Sequence, residues 1–261
     1  MTTRQIKLFS VSADAKTVKG EKQRVLTGVM YLAPHALSGY QVCPKATAGC
    51  MLACLYTAGR GVFSNTQLAR INKTKFFFER RDVFMATLVK NIASIVVKAR
   101  KLDMIPAIRL NGTSDIGWEK IAVVKDGVTY RNLMLAFPHV QFYDYTKILG
   151  RKAALSLPNY HLTYSLAEDN DADALEALAQ GYNVAAVLRL GRTEPKPATF
   201  GGYPVVNGDD DDVRFRDPKG GHVIGLFPKG RGRYDTSGFV REPNAGFKSN
   251  PVRIIPVQLA A

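Results

Sequence analysis

Apolar segments of two kinds alternate along this chain, and that alternation limits its fold more than any other feature. Short runs rich in β-branched and aromatic residues read as strands: Val25 to Leu32, Ala107 to Leu110, Val140 to Tyr145, Tyr160 to Ser165, Asn183 to Leu190, Pro204 to Val206 and His222 to Phe227. Between them lie stretches with helical spacing. One covers about 65–78 behind a Ser64–Gln67 capping box. A second follows Asp82, with Leu88, Ile92, Ile95, Val96 and Ala99 recurring on one face, and a third runs from Asp171 to Ala179. Shorter helical segments are expected at Trp118 to Val124, Arg131 to Phe137 and Lys147 to Leu155, the first two separated by a Lys125-Asp126-Gly127 turn. Strands that alternate with helices are joined by crossovers, which makes the sheet mainly parallel. The expected fold is α/β, a single (β/α) barrel-like domain over 25–261, closed or partial. A basic N-terminal arm is expected over 1–24. The local structure of the Gly- and Pro-rich stretch 191–202 is not assigned.

Parallel α/β folds place their sites at the carboxyl edge of the sheet. After the first strand come all three cysteines of the chain, Cys43, Cys50 and Cys54, within twelve residues. Cys50 and Cys54 are four apart, so a helix would present both on one face, and a loop with proline and glycine can bend Cys43 towards them. Three thiolates at one point suit a soft metal with one coordination position left open. An iron–sulfur cluster is the expected occupant. A zinc ion with His35 as fourth ligand and three unligated thiols are the alternatives.

Later strand ends carry further polar groups. Gly59 and Arg60, in Thr57 to Gly61, could approach and pair with an anion, or form a plain turn before Ser64. Asn111, Ser114 and Asp115 suit a ligand with an amino group, or a helix cap before Trp118. On the strand at 142–147, Tyr143, Tyr145 and Lys147 share one face, and Phe142, Asp144 and Thr146 the other. A carboxylate inside a core needs a partner, so Asp144 is read as catalytic, with Lys147 as its ion pair or a phosphate contact. Ser165 and Glu168 follow the next strand, Glu168 doubling as a candidate helix cap. The run Asp209 to Asp212 could bind a divalent cation but lacks the alternation of a calcium loop, and otherwise reads as a solvated turn. Phe227 to Asp235 reads as a basic, glycine-containing loop apt for phosphates, or as an ordinary exposed loop.

Net charge is +14, from 36 Lys and Arg against 22 Asp and Glu, which favours nucleic acid or a nucleotide as partner. No apolar run approaches the roughly 20 residues of a membrane span, and Met1 to Ser10 lacks the apolar stretch of a signal peptide. A cytoplasmic compartment with reduced thiols is expected, and no membrane association. Phosphate-loop, nucleophile-elbow and His-Glu-x-x-His motifs are all lacking.

The layout, a three-cysteine loop after the first strand of a (β/α) barrel, resembles the radical S-adenosylmethionine (SAM) superfamily. That resemblance implies a [4Fe–4S] cluster on Cys43, Cys50 and Cys54, with SAM on the open iron. It further implies Asn111 to Asp115 at the methionine amino group, and Ser165 and Glu168 near the ribose. The spacing departs from the usual one: six and then three residues intervene here, and Ala53 stands where an aromatic is usual. The chain also resembles a family of phage-encoded gene products. That resemblance rests on Cys-x6-Cys-x3-Cys with Thr57 to Gly61, and on Leu110 to Asp115, Phe142 to Lys147 and Asn207 to Asp209. It implies residence in the host cytoplasm. The expected function is an iron–sulfur, radical-SAM-like or SAM-binding enzyme acting on a nucleotide or nucleic acid. The alternative is a non-catalytic nucleic-acid-binding protein with a structural metal.

Overall fold

The computed structural model describes residues 6–13 and 15–248. Strand β1 (Phe9–Val11) and helix α1 (Ala15–Glu21) precede β2 (Val25–Met30). Of the arm expected over 1–24, residues 1–5 and 14 lie outside the described residues, while 9–11 and 15–21 form an edge strand and a helix, with Leu8 fully buried and Phe9 packed against the core. The cysteine loop follows β2 and contains one helical turn, α2 (Ala48–Leu52). Two long helices come next, α3 (Ser64–Glu79) and α4 (Arg81–Lys101), then β3 (Ile105–Arg109). The Ser64–Gln67 capping box does not form: Phe63 stands at the cap, and the Gln67 amide donates to the Gly61 carbonyl at 3.0 Å.

Residues 118–130 depart most from expectation. A 3-10 turn at Trp118–Lys120 leads into an antiparallel hairpin, β4 (Val123–Lys125) and β5 (Val128–Tyr130). Asp126 and Gly127 both adopt positive φ, 51° and 79°, as a two-residue hairpin loop requires. That turn chemistry outweighs the weak helical spacing on either side. The chain continues through α5 (Leu133–Ala136), β6 (Gln141–Thr146), α6 (Lys152–Leu155), β7 (Tyr160–Ser165), α7 (Asp171–Ala179) and β8 (Asn183–Val187). Last come β9 (Thr199–Phe200), β10 (Tyr203–Asn207) and β11 (Val223–Leu226).

Nine strands form one mixed, mostly parallel sheet in the order β1-β2-β3-β6-β7-β8-β11-β10-β9. From β2 to β10 every neighbour is parallel, and β1 and β9 are antiparallel edges. Among the described residues no pairing joins the two edges, so no closed barrel is present. Side chains bridge the ends instead. Lys19 of α1 donates to the Asp209 carbonyl at 3.0 Å, and Gln23 reaches the Asp211 carboxylate. A Cβ on Gly20 would touch Val213 at 3.1 Å.

The period-two alternation of each strand separates two faces. Leu26, Ile108, Phe142, Leu162 and Val184 join the main core, with α4 supplying Leu88, Ile92, Ile95 and Ala99. Val25, Ala107 and Tyr143 pack on the other face against Val213 and Phe215, from the segment after β10. No helix of the described residues is long and apolar enough to cross a membrane.

Candidate functional site

At the carboxyl ends of β2, β3, β6, β7, β8 and β11 the second face opens into a cavity of about 410 Å³. That volume lies within the usual range for small-molecule sites. Cys43, Cys50 and Cys54 all line it. The sequence places Cys50 and Cys54 on one helix, but α2 ends at Leu52, and Cys54 begins the 3-10 turn at Leu55–Thr57. The loop's fold brings them together instead.

Each thiol is half-buried and reduced. Cys43 Sγ accepts the His35 amide at 3.3 Å, and Cys54 Sγ the Tyr56 amide at 3.5 Å. Burial pushes the Cys43 thiol up to about 12 despite the His35 amide, and the neighbouring Cys54 and Cys50 add to it. Burial also raises Cys54, against the Tyr56 amide, with Cys50 adding and Arg70 and Lys147 opposing. The three sulfurs therefore stand within electrostatic reach of one another. Among the described residues, no three His, Cys, Asp or Glu side chains are set to hold a single metal ion. His35, the candidate fourth ligand for zinc, stands beside Cys43, and its positive φ of 41° sets the turn whose amide meets that sulfur.

Two clamps hold the cysteine loop. The Glu168 carboxylate accepts the Thr47 hydroxyl and the Gly49 amide, each at 2.6 Å, while Thr47 Oγ1 caps α2 by accepting the Cys50 amide at 3.1 Å. Glu168, expected near a ligand, positions the cysteine loop through these two hydrogen bonds. From the other side, the basic segment after β11 packs on the loop. Gly230, at φ 53°, sits against Thr57, where a Cβ would lie 2.7 Å from the carbonyl oxygen.

Asn111, Ser114 and Asp115 line the cavity beside Gly112 and Thr113, but their side chains mostly serve the loop itself. Asn111 Oδ1 accepts from Ser114 Oγ, the Ile116 amide and the Trp118 indole, and Nδ2 donates to the Ile116 carbonyl. Asp115 Oδ2 accepts the Lys147 amide at 2.8 Å, and the Asp115 amide donates to the Val42 carbonyl, tying this loop to Cys43. Gly112 is required by close approach, since a Cβ would meet the Tyr31 ring at 2.6 Å and the Met30 carbonyl at 2.7 Å.

Asp144, read as catalytic, lies on the opposite face of β6 from the cavity. It is fully buried, and its carboxylate accepts the Asn111 amide at 2.7 Å and the Tyr160 hydroxyl at 3.0 Å. Burial pushes its pKa up to about 7 despite the Asn111 hydrogen bond. It supports the Asn111 turn from beneath and makes no pair with Lys147. Lys147 instead points into the cavity and donates to Ser165 Oγ at 2.8 Å, uniting two expected residues. Gly59 and Arg60 stand at the rim, in the same lining.

Several lining residues escaped sequence reading. Arg70 of α3 is buried over the Tyr31 and Tyr56 rings, at 4.7 and 5.5 Å. Arg109 of β3 lies over the Tyr145 ring at 4.7 Å and pairs with Asp212 at 3.0 Å. An arginine inside an apolar strand was the available signal for Arg109. Asp212 corrects the solvated-turn reading: it is buried and also accepts the Tyr143 hydroxyl, while Asp211 holds Arg214. The cavity thus carries six cationic side chains, Lys45, Arg60, Arg70, Arg109, Lys147 and Lys229, against three carboxylates, Asp115, Asp209 and Asp212. That balance favours an anion. No curated protein and no solved structure matches the chain. The family model described as gene product 88 matches residues 7–243, in keeping with the phage-type motifs, and the chain belongs to the gene product 88 family.

Proposed function

We propose that this cavity is the active site of an iron–sulfur enzyme of the radical-SAM-like kind, acting on a nucleotide or nucleic acid. Cys43, Cys50 and Cys54 would hold a [4Fe–4S] cluster, in a sheet whose sequential order β2-β3-β6-β7-β8-β11 suits a partial (β/α) barrel. The observation that carries this reading is that the chain's three cysteines all line one cavity with an excess of cationic groups. Three thiols around one space are the donor type such a cluster takes. Such a cluster, when held there, would supply one-electron reduction. The protein's own groups do the rest. Lys147 and Ser165 anchor a carboxylate or hydroxyl, Arg70 is stacked on Tyr31 and Tyr56, and Arg109, stacked on Tyr145, is neutralised by Asp212. Glu168 keeps the loop in place.

Anaerobic purification with iron, sulfide and zinc quantified is the test. About four irons and four sulfides per chain are expected of a cubane, followed by SAM cleavage under reduction. Stoichiometric zinc, or no metal, overturns the reading and leaves a nucleic-acid-binding protein in which metal at most staples a loop.

A further inference from the structure

Outside the cysteine cavity, between α2 and the chain at 231–237, runs a second groove of about 410 Å³. Leu52, Ala53, Arg231, Tyr234 and Ser237 are among its walls. Ala53 lines both groove and cavity. Gly232 packs behind it, where a Cβ would lie 3.4 Å from that of Ala53. Ala53 is therefore shared by the two spaces.

Two of the groove's side chains stand outside the core. Tyr234 is 84% exposed and Leu52 59%, and neither joins the core. Arg231 lines the groove and is exposed, Arg233 is exposed one residue before Tyr234, and Arg60 is exposed in the lining of the neighbouring cavity. The groove's carboxylate, Asp235, is buried, and its oxygens accept from Ser237 and from the Val240 amide. Outward-facing cations without an outward carboxylate complement a polyanion. An exposed aromatic beside guanidinium groups suits unstacked bases on a phosphate backbone, which a duplex does not present. The protein's net charge of +14 agrees.

We infer that the groove and the adjoining rim dock single-stranded nucleic acid, with Tyr234 as a base-stacking platform and Arg60, Arg231 and Arg233 as phosphate contacts. This rests on the reading of the cavity as acting on a nucleotide or nucleic acid, and narrows that class to single strands.

Fluorescence anisotropy with a labelled oligothymidylate, an oligouridylate and a duplex of equal length tests it. The wild-type protein should bind a single strand more tightly than the duplex. Tyr234→Ala should weaken that binding by about tenfold, the scale of one lost stacking contact. The Arg231→Gln, Arg233→Gln double variant should reduce the slope of log affinity against log salt by about 1.4, as for two phosphate contacts. Both sites are exposed, so unchanged melting temperatures are expected and are checked alongside. Equal binding of duplex, no binding at all, or affinity unmoved in both variants overturns the inference. A protein partner would give the second result. Iron is assayed in the same preparations. Rim-dependent binding by iron-free protein retains the docking surface and removes the cluster, whereas iron-loaded protein with rim-independent binding does the reverse.

Discussion

The carboxylate of Glu168, just beyond β7, accepts the backbone amide of Gly49 at 2.6 Å. It takes the Thr47 hydroxyl at the same distance, so one side chain from across the sheet holds the start of α2. A five-residue helix has no stability of its own. The position of Cys50 therefore depends on this clamp.

Glu168→Ala should leave the amide and the hydroxyl without their partner, costing about 1–3 kcal/mol. Iron retained per chain should fall with it, while Glu168→Gln keeps one acceptor and retains more. Thermal unfolding with iron analysis reads both. Full iron content in Glu168→Ala would show that the loop is positioned by something else.

Arg109 and Asp212 form a buried pair that ties β3 to the segment after β10. Replacing either alone strands a charge and should cost about 3–5 kcal/mol, more than replacing both with apolar residues of similar volume. Urea unfolding of Arg109→Met, Asp212→Leu and the double variant measures the coupling. Additive single effects would contradict it.

Asp144 should make stability depend on pH with an unusual sign. Its folded pKa of about 7 lies above the unfolded value of about 3.9. Between those values the native state holds the proton and the unfolded state does not. Its contribution is complete below about pH 4 and is lost as pH rises through about 7, with a slope up to about 1.4 kcal/mol per pH unit. Asp144→Asn should flatten this stretch of the stability profile measured by chemical denaturation. An unchanged slope in the variant would refute the assignment.

On the proposed function, in which the cavity takes a cluster and SAM, Lys147→Met should weaken binding of SAM by about tenfold or more, the loss expected for removing a charged hydrogen bond, and leave iron content intact. The Lys147 ammonium faces the cavity and Ser165 and forms no part of the thiol set. Equilibrium dialysis of the reconstituted protein separates the two quantities. Loss of iron together with binding would place Lys147 in the support of the loop instead.

Much of this was legible in the chain itself, because it is local. Periodicity marked α4, α7 and β7, and the order of loops placed the cysteines, Asn111 to Asp115 and Lys147 at one sheet edge. Alternation also divided β6 into a face with Tyr145 and Lys147 and a face with Asp144. A period of two cannot say which face meets the cavity, and only the packing of α4 on one side and residues 212–216 on the other decided that. The capping box at Ser64 and the helix before Val124 failed because Gly61 and the Asp126-Gly127 turn offered better local geometry.

What the sequence determined by itself is the strand–helix alternation, the surplus of positive charge and the closeness of three thiols, each set by neighbours along the chain. The tertiary structure alone decided that Asp212 is buried against Arg109, that Glu168 holds the loop, and that Asp144 faces away from the site. Those outcomes rest on contacts between residues 33 to 119 positions apart, where burial and charge pairing, absent from any local pattern, fix the energy.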